Sequence, residues 1–314
     1  MKGWLVPELG RAEWRTDLPE PIAGAHQVLL EVVAAAPNFA DRLLIDGRYQ
    51  ERAEPPFTPG IEVVGRVAGS DRLRVGLAAI GHGAWAERAL CDPGQLCDVP
   101  AGIDAADAVA VHANAQTAWF ALHRRAAVQP GEVVLVHAAA GGVGSMAVQL
   151  AAIHGCRVIA TSSAGKRELC QRLGAELWFD NRDPGWRDAV RAAVGTVDAV
   201  IDMVGGSVFM DSFRLLGFEG RIVTVGFTSG ERPRLPVNHV LVKNVSVHGL
   251  YWGRYPTENP TAVAAAAEEI FGHVGAGRLD PLIGRRAGFA DALACVDAIA
   301  TGGTTGKTVL TWDG

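Results

Sequence analysis

The chain has 314 residues, 49% of them hydrophobic and 20% charged, with a formal net charge of −5. That is the composition of a globular chain of two domains or one large α/β domain, neither disordered nor fibrous, and its acidic balance gives no reason to expect nucleic acid or an anionic membrane as partner. Pro7 and Glu8 break the first apolar run, so no secretory leader is expected; no stretch of about 18 apolar residues suits a membrane span; and Cys91, Cys97, Cys156, Cys170 and Cys295 form no CxxC pair, which fits a reducing cytoplasm.

In chain order, the runs HQVLLEVVAAA, IEVVGRVAG and WAERALC alternate apolar and polar residues between Gly and Pro, predicting a small mixed-β unit. An Ala-rich helix at 105–122 follows. Then the strands VVLVHA, RVIAT, LWFD, VDAVIDM and RIVTVGF alternate with helices at 142–154, 164–175, 184–194 and 206–217. In the first of these, Val143, Met146, Ala147, Leu150 and Ala151 fall on one stripe. Such alternation predicts right-handed βαβ crossovers and a parallel sheet. Helices at 260–274 and 289–300 and a last strand, KTVLTW, return to the first unit. The expected division is 1–115, 116–250 and 251–314.

Between the first strand and helix of the parallel part, the turn reads Ala139-x-Gly141-x-x-Gly144. This is a dinucleotide fingerprint with its first glycine replaced, which alanine tolerates while its φ stays negative. Gly141 lets backbone approach a diphosphate, Gly144 lets the helix press onto the strand, and the helix start at Gly142 and Val143 points free N–H groups at the phosphates. The next strand ends in Thr161, Ser162, Ser163, with Lys166 and Arg167 close behind and no carboxylate before Glu168. Hydroxyls and cations accept a ribose 2′-phosphate where a carboxylate would bind a 2′-hydroxyl, and a cation in a first helical turn implies a nearby anion. NADPH is therefore the expected cofactor.

With these motifs in view, the chain resembles the zinc-independent (zeta-crystallin-like) quinone oxidoreductases of the medium-chain dehydrogenase/reductase superfamily. The likeness lies in PNFADRLLIDGRYQ (37–50), PPFTPGIEVVGRV (55–67), VLVHAAAGGVGSMAVQLA (134–151) and LVKNVSVHGLYWG (241–253). It implies an α/β protein, in which a Rossmann doubly wound parallel sheet accompanies a GroES-like mixed-β catalytic domain. It also implies a homodimer joined through the Rossmann sheets. Zinc-dependent relatives place a Cys and a His where this chain reads Asn38 in Asn38-Phe39-Ala40-Asp41 and Ile61 in Gly60-Ile61-Glu62. Neither can supply the thiolate or imidazole that catalytic zinc requires, and His82 is a lone turn histidine, so no metal is expected.

The same resemblance implies that Tyr49 donates to a developing enolate, that Asn38 orients the substrate or the nicotinamide ribose, and that Thr117 lies by the nicotinamide. Arg254 is open between the active site and the surface. The implied activity is NADPH-dependent, metal-free hydride transfer to a quinone or an α,β-unsaturated carbonyl. An enoyl-thioester reductase is the enzymatic alternative, with Arg42, Arg48 and Arg52 as candidates for a cationic patch. A non-catalytic NADPH-binding, crystallin-like or RNA-binding protein is the alternative of another class, which the acidic balance disfavours.

Overall fold

The β-branched runs beyond residue 130 pair as their pattern predicts, and a sixth strand joins them. The computed structural model describes residues 1–313, which divide into two compact units. One unit, Asn114–Arg254 with Gly277–Asp280, holds a sheet ordered Ser246–Gly249, Leu216–Thr224, Val197–Asp202, Val133–Val136, Arg157–Ser162, Leu177–Asp180. Every neighbouring pair is parallel. Counted along the chain from Val133, the strands lie 6-5-4-1-2-3, the doubly wound order in which ligands bind at the carboxyl ends beside the first strand. Val134, Leu135, Val136, Val200 and Ile201 are completely buried, as strands covered on both faces must be.

Three predicted elements change at their edges. The helix expected at 105–122 is α-helical over Ala105–Trp119 and widens into a π-helical segment at Phe120–Ala126, which ends at Ala127 in the left-handed region. The helix expected at 164–175 splits into a tight turn, Ala164–Lys166, and a helix, Arg167–Arg172. The helix expected at 206–217 stops at Leu215, where the strand Leu216–Thr224 takes over.

The other unit contains Met1–Ala113, Tyr255–Ala276 and the chain from Pro281 on. Its sheet runs Ile283–Gly288, Lys307–Thr311, Val28–Ala36, Glu62–Val67, Leu73–Ala78, Arg88–Asp98, and the last strand pairs back onto Val28–Ala36. That closure makes a small barrel around Leu30, Ile45, Val63, Trp85, Phe289 and Leu310. The C-terminal strand enters it antiparallel to Val28–Ala36, with Leu310 opposite Ala35 and Thr311 opposite Ala34. This pairing carries Lys307 from the far end of the chain into the interior beside the helix Phe39–Ile45.

Candidate functional site

In the parallel unit, the strand Val133–Val136 leads through His137 into the glycine turn and then the helix Gly142–Ile153. Ala139 is buried and holds its place by donating its N–H to the Thr161 carbonyl at 3.0 Å, while Gly141 N–H bonds Ala138 O at 2.9 Å. The left-handed φ of the turn falls on Ala138 (47°), not on Ala139, so the alanine in place of the first fingerprint glycine is not strained there. A side chain at Gly144 would put its Cβ 2.2 Å from the Ala138 carbonyl oxygen, which is why that position must be glycine. The helix begins at Gly141 with no side-chain cap and no acidic residue in its first turn. Its first N–H groups, from Gly142, Val143 and Gly144, therefore point outward without an intrahelical acceptor, and a diphosphate fits them.

A buried histidine braces this turn from behind. His137 Nδ1 is 2.7 Å from Thr161 Oγ1, and Nε2 is 2.6 Å from Ser212 Oγ. Ser212 has one hydroxyl proton and donates it to Val208 O at 2.7 Å, so it accepts from Nε2–H. Nδ1 is then the acceptor for the Thr161 hydroxyl. Burial pushes the His137 pKa down to about 3, which keeps the ring neutral and this arrangement fixed. His137 belongs to no motif; its only signal in the sequence is a polar ring inside an otherwise apolar strand end.

At the end of the next strand the structure separates the predicted phosphate contacts. Ser162 is buried and its hydroxyl faces protein, accepting from Trp178 Nε1 at 2.8 Å and lying 3.4 Å from Cys170 Sγ. Ser163, one residue beyond the strand, is half-buried. Lys166 is half-buried, and burial followed by the neighbouring Arg182 cation lowers its pKa. Arg167 is exposed and lies over the Trp178 ring at 5.9 Å. Arg182 lies just past the strand Leu177–Asp180, one strand beyond the fingerprint's own βαβ unit, so no local motif marks it. Lys166 and Arg182 follow the ends of two adjacent strands, and like charges so arranged favour anions nearby. Thr117 is half-buried on the helix Ala105–Trp119, and Arg254 is exposed.

In the barrel unit, Asn38 lies in a buried ionic cluster. Lys307, 4% exposed, places Nζ 2.7 Å from Asn38 Oδ1 and 2.8 Å from Glu62 Oε2. Asn38 Nδ2 donates to Ala36 O at 2.9 Å and to Glu62 Oε2 at 3.1 Å. Glu62 Oε1 accepts from Ala113 N–H at 2.8 Å. Asp41 accepts from the N–H groups of Asn38 and Ile61, while burial pushes its carboxyl up to about 7. Burial also holds His112 down at about 4. Both amide protons of Asn38 are thus engaged, which removes it as a donor and leaves one lone pair of Oδ1 as an acceptor. Ile61 contributes only its backbone N–H here. Among the described residues, no group of three or more His, Cys, Asp or Glu side chains is placed to hold a metal ion.

Tyr49 is half-buried, packs against the barrel core and bonds Leu43 O through its N–H at 3.1 Å. Arg42 is held by Asp46 at 2.9 Å and Asp297 at 3.0 Å, so it is occupied within the fold. Arg48 and Arg52 are exposed.

Comparison with known proteins matches residues 24–103 to the alcohol dehydrogenase GroES-like domain and residues 142–268 to the zinc-binding dehydrogenase domain. The chain is similar to quinone oxidoreductase-like protein 2 of Bos taurus, 39% identical over 279 residues that span 85% of this chain and 79% of that one. A homologue of that protein in Nematostella vectensis is 34% identical over 91% of this chain and 82% of its own. Among solved structures, the quinone oxidoreductase of Thermus thermophilus, determined alone and in complex with NADPH, is 36% identical over 99% of this chain and 100% of that one, with a TM-score of 0.86.

Proposed function

Because the chain belongs to the zinc-independent quinone oxidoreductase family of the medium-chain dehydrogenase/reductase superfamily, we propose that its substrate is a quinone or an α,β-unsaturated carbonyl compound. The protein is an NADPH-dependent oxidoreductase. The observation that carries the reading is the uncapped, acid-free start of the helix Gly142–Ile153 together with the Lys166 and Arg182 cations one and two strands away. When bound, reduced nicotinamide supplies a hydride for an electron-poor carbon. The chain's own residues bind, orient and polarise. Gly142, Val143 and Gly144 offer N–H groups to the diphosphate; Ser163, Lys166, Arg167 and Arg182 favour a 2′-phosphate; Tyr49 donates to the substrate oxygen; and Asn38 accepts through Oδ1.

Steady-state NADPH oxidation with quinones, enals, enones and enoyl-CoA esters tests this assignment. Turnover confined to the thioesters would overturn it in favour of enoyl-thioester reduction. The engagement of Arg42 with Asp46 and Asp297 removes one of the three cations that a phosphopantetheine patch would use. The five cysteines, all unpaired, support a reducing, cytoplasmic setting, and no helix among the described residues is long and apolar enough to cross a membrane.

Cofactor choice has its own test. Lys166→Glu should weaken NADPH binding at least about tenfold while changing NADH binding much less, since one charge-assisted contact is worth roughly 1.5–3 kcal/mol. Equal losses for both cofactors, read by titration, would reassign Lys166 to a structural role and leave the 2′-phosphate to Ser163, Arg167 and Arg182.

A homodimer fits one flank of the parallel unit. The strand Ser246–Gly249 is the last in its sheet, and Val247 on it is 40% exposed. Phe218, Val237, Leu241 and Val242 are each at least 75% exposed, an unusual set of apolar side chains to leave in water. The double variant Leu241→Lys/Val247→Lys is expected to sediment as a monomer where the wild type sediments as a dimer. A wild-type protein that is monomeric at micromolar concentration would remove the dimer.

A further inference from the structure

We propose that Asn114 is a cofactor-binding residue, donating its side-chain amide to the diphosphate of the dinucleotide at the start of the helix Gly142–Ile153. The inference rests on the NADPH-dependent reading above and extends it to a residue outside the glycine fingerprint. Asn114 lies on the helix Ala105–Trp119 and is only 6% exposed. A Cβ on Gly142 would come 2.5 Å from Asn114 Nδ2 and 3.1 Å from its Cγ, so the amide is seated directly against the first residue of the neighbouring helix. A side chain at position 142 would have to displace that amide.

Among the described residues no hydrogen bond engages the Asn114 side chain. The residue as a whole is only 6% exposed, yet its amide atoms are not sealed from solvent, so a ligand at the helix start can take up the donors that the protein leaves open. The first turn it faces has no cap and no carboxylate, and its backbone N–H groups lack intrahelical acceptors. An anion there is attracted by the helix dipole and by the N–H groups, and Nδ2 adds a further donor from the side. Thr117 is three residues further along the same helix, so the two polar side chains share a face. The buried Gln116 between them points to a different side of the helix.

The diphosphate is common to NADPH and NADH, whereas Lys166 and Arg182 are placed to recognise the 2′-phosphate. The two groups of residues should therefore fail in different ways. Binding of NADPH, NADH and 2′-AMP, which has the 2′-phosphate but no diphosphate, is measured by calorimetry or ligand-observed NMR. Asn114→Ala and Asn114→Leu should each weaken NADPH and NADH by a similar factor, about three- to tenfold, and leave 2′-AMP unchanged. Asn114→Asp keeps the shape, removes the donor and adds a like charge, and should weaken both dinucleotides more than Asn114→Ala does. Thermal melting of each variant without ligand separates a folding defect from a binding defect, and Asn114→Asp decides the case if the apolar variants melt early. Dinucleotide affinities within twofold of wild type in Asn114→Asp overturn the proposal, as does an equal loss of 2′-AMP binding in a well-folded variant. A wild-type protein that binds no NADPH removes the cofactor reading itself, and this inference with it.

Discussion

Lys307→Met is expected to destabilise the barrel unit by about 3–5 kcal/mol, the usual cost of removing one partner from a buried ion pair. The ammonium sits 2.8 Å from Glu62, which is completely buried, and 2.7 Å from the side-chain oxygen Oδ1 of Asn38. Methionine fills much of the same volume but leaves a buried carboxylate without its counter-ion. The remaining donors to Glu62, Ala113 N–H and Asn38 Nδ2, are neutral and do not balance its charge. The double variant Lys307→Met/Glu62→Gln removes the stranded charge and should recover roughly half of the loss, because the pair is coupled and the single effects do not add. Urea denaturation followed by tryptophan fluorescence reads both numbers. A Lys307→Met loss below about 1 kcal/mol, the range of an exposed pair, would show that water reaches Glu62 and that the cluster is not the interior anchor described here.

How far the sequence exposed this arrangement depends on the range of the interaction involved. Alternating β-branched and amphipathic segments are local patterns, so the five strands from VVLVHA to RIVTVGF were legible. The sixth, Ser246–Gly249, reads SVHG and has no run of β-branched residues; it is a strand because Arg221–Thr224 offers it a partner edge. Tertiary pairing overrides local preference there. Ser162 illustrates a subtler limit. In a strand covered on both faces, neither side of the chain is open, so Thr161 turns to His137 and Ser162 to Trp178, and the first hydroxyl free of the sheet is that of Ser163. The sequence placed all three near the strand end but gave no means of telling inside from outside.

The Asn38 amide shows the same limit at long range. Its donors are taken by Ala36 and Glu62, and its carbonyl by Lys307, which is 269 positions away in the chain. No local motif connects the lysine of GKTVLTW to the PNFAD segment; only the antiparallel pairing of Lys307–Thr311 with Val28–Ala36 does so. The fingerprint glycines, by contrast, act within a few residues of one another. The close packing read at Gly144 is accordingly local, and a side chain there would collide with the Ala138 carbonyl.

Tyr49→Phe is expected to lower kcat and kcat/KM for an enone together, by roughly 10–1,000-fold, with NADPH affinity nearly unchanged. The engagement of both Asn38 amide protons sharpens this expectation, because the other side chain expected to orient the substrate has no proton left to donate to its oxygen. A phenol that stabilises charge appearing on that oxygen contributes mainly in the transition state, so its loss appears in kcat and not in binding. A strongly electrophilic quinone needs less polarisation to accept a hydride, and with it the same variant should lose much less. Packing alone predicts a different pattern. Tyr49 rests on the barrel core, and a collapsed loop would slow both substrates alike. Phenylalanine keeps the ring and removes only the hydroxyl, so unchanged thermal melting should accompany the enone defect. Enone reduction at the wild-type rate would remove the tyrosine from the chemistry and leave Asn38 Oδ1, an acceptor only, unable to replace it as the donor to the substrate oxygen.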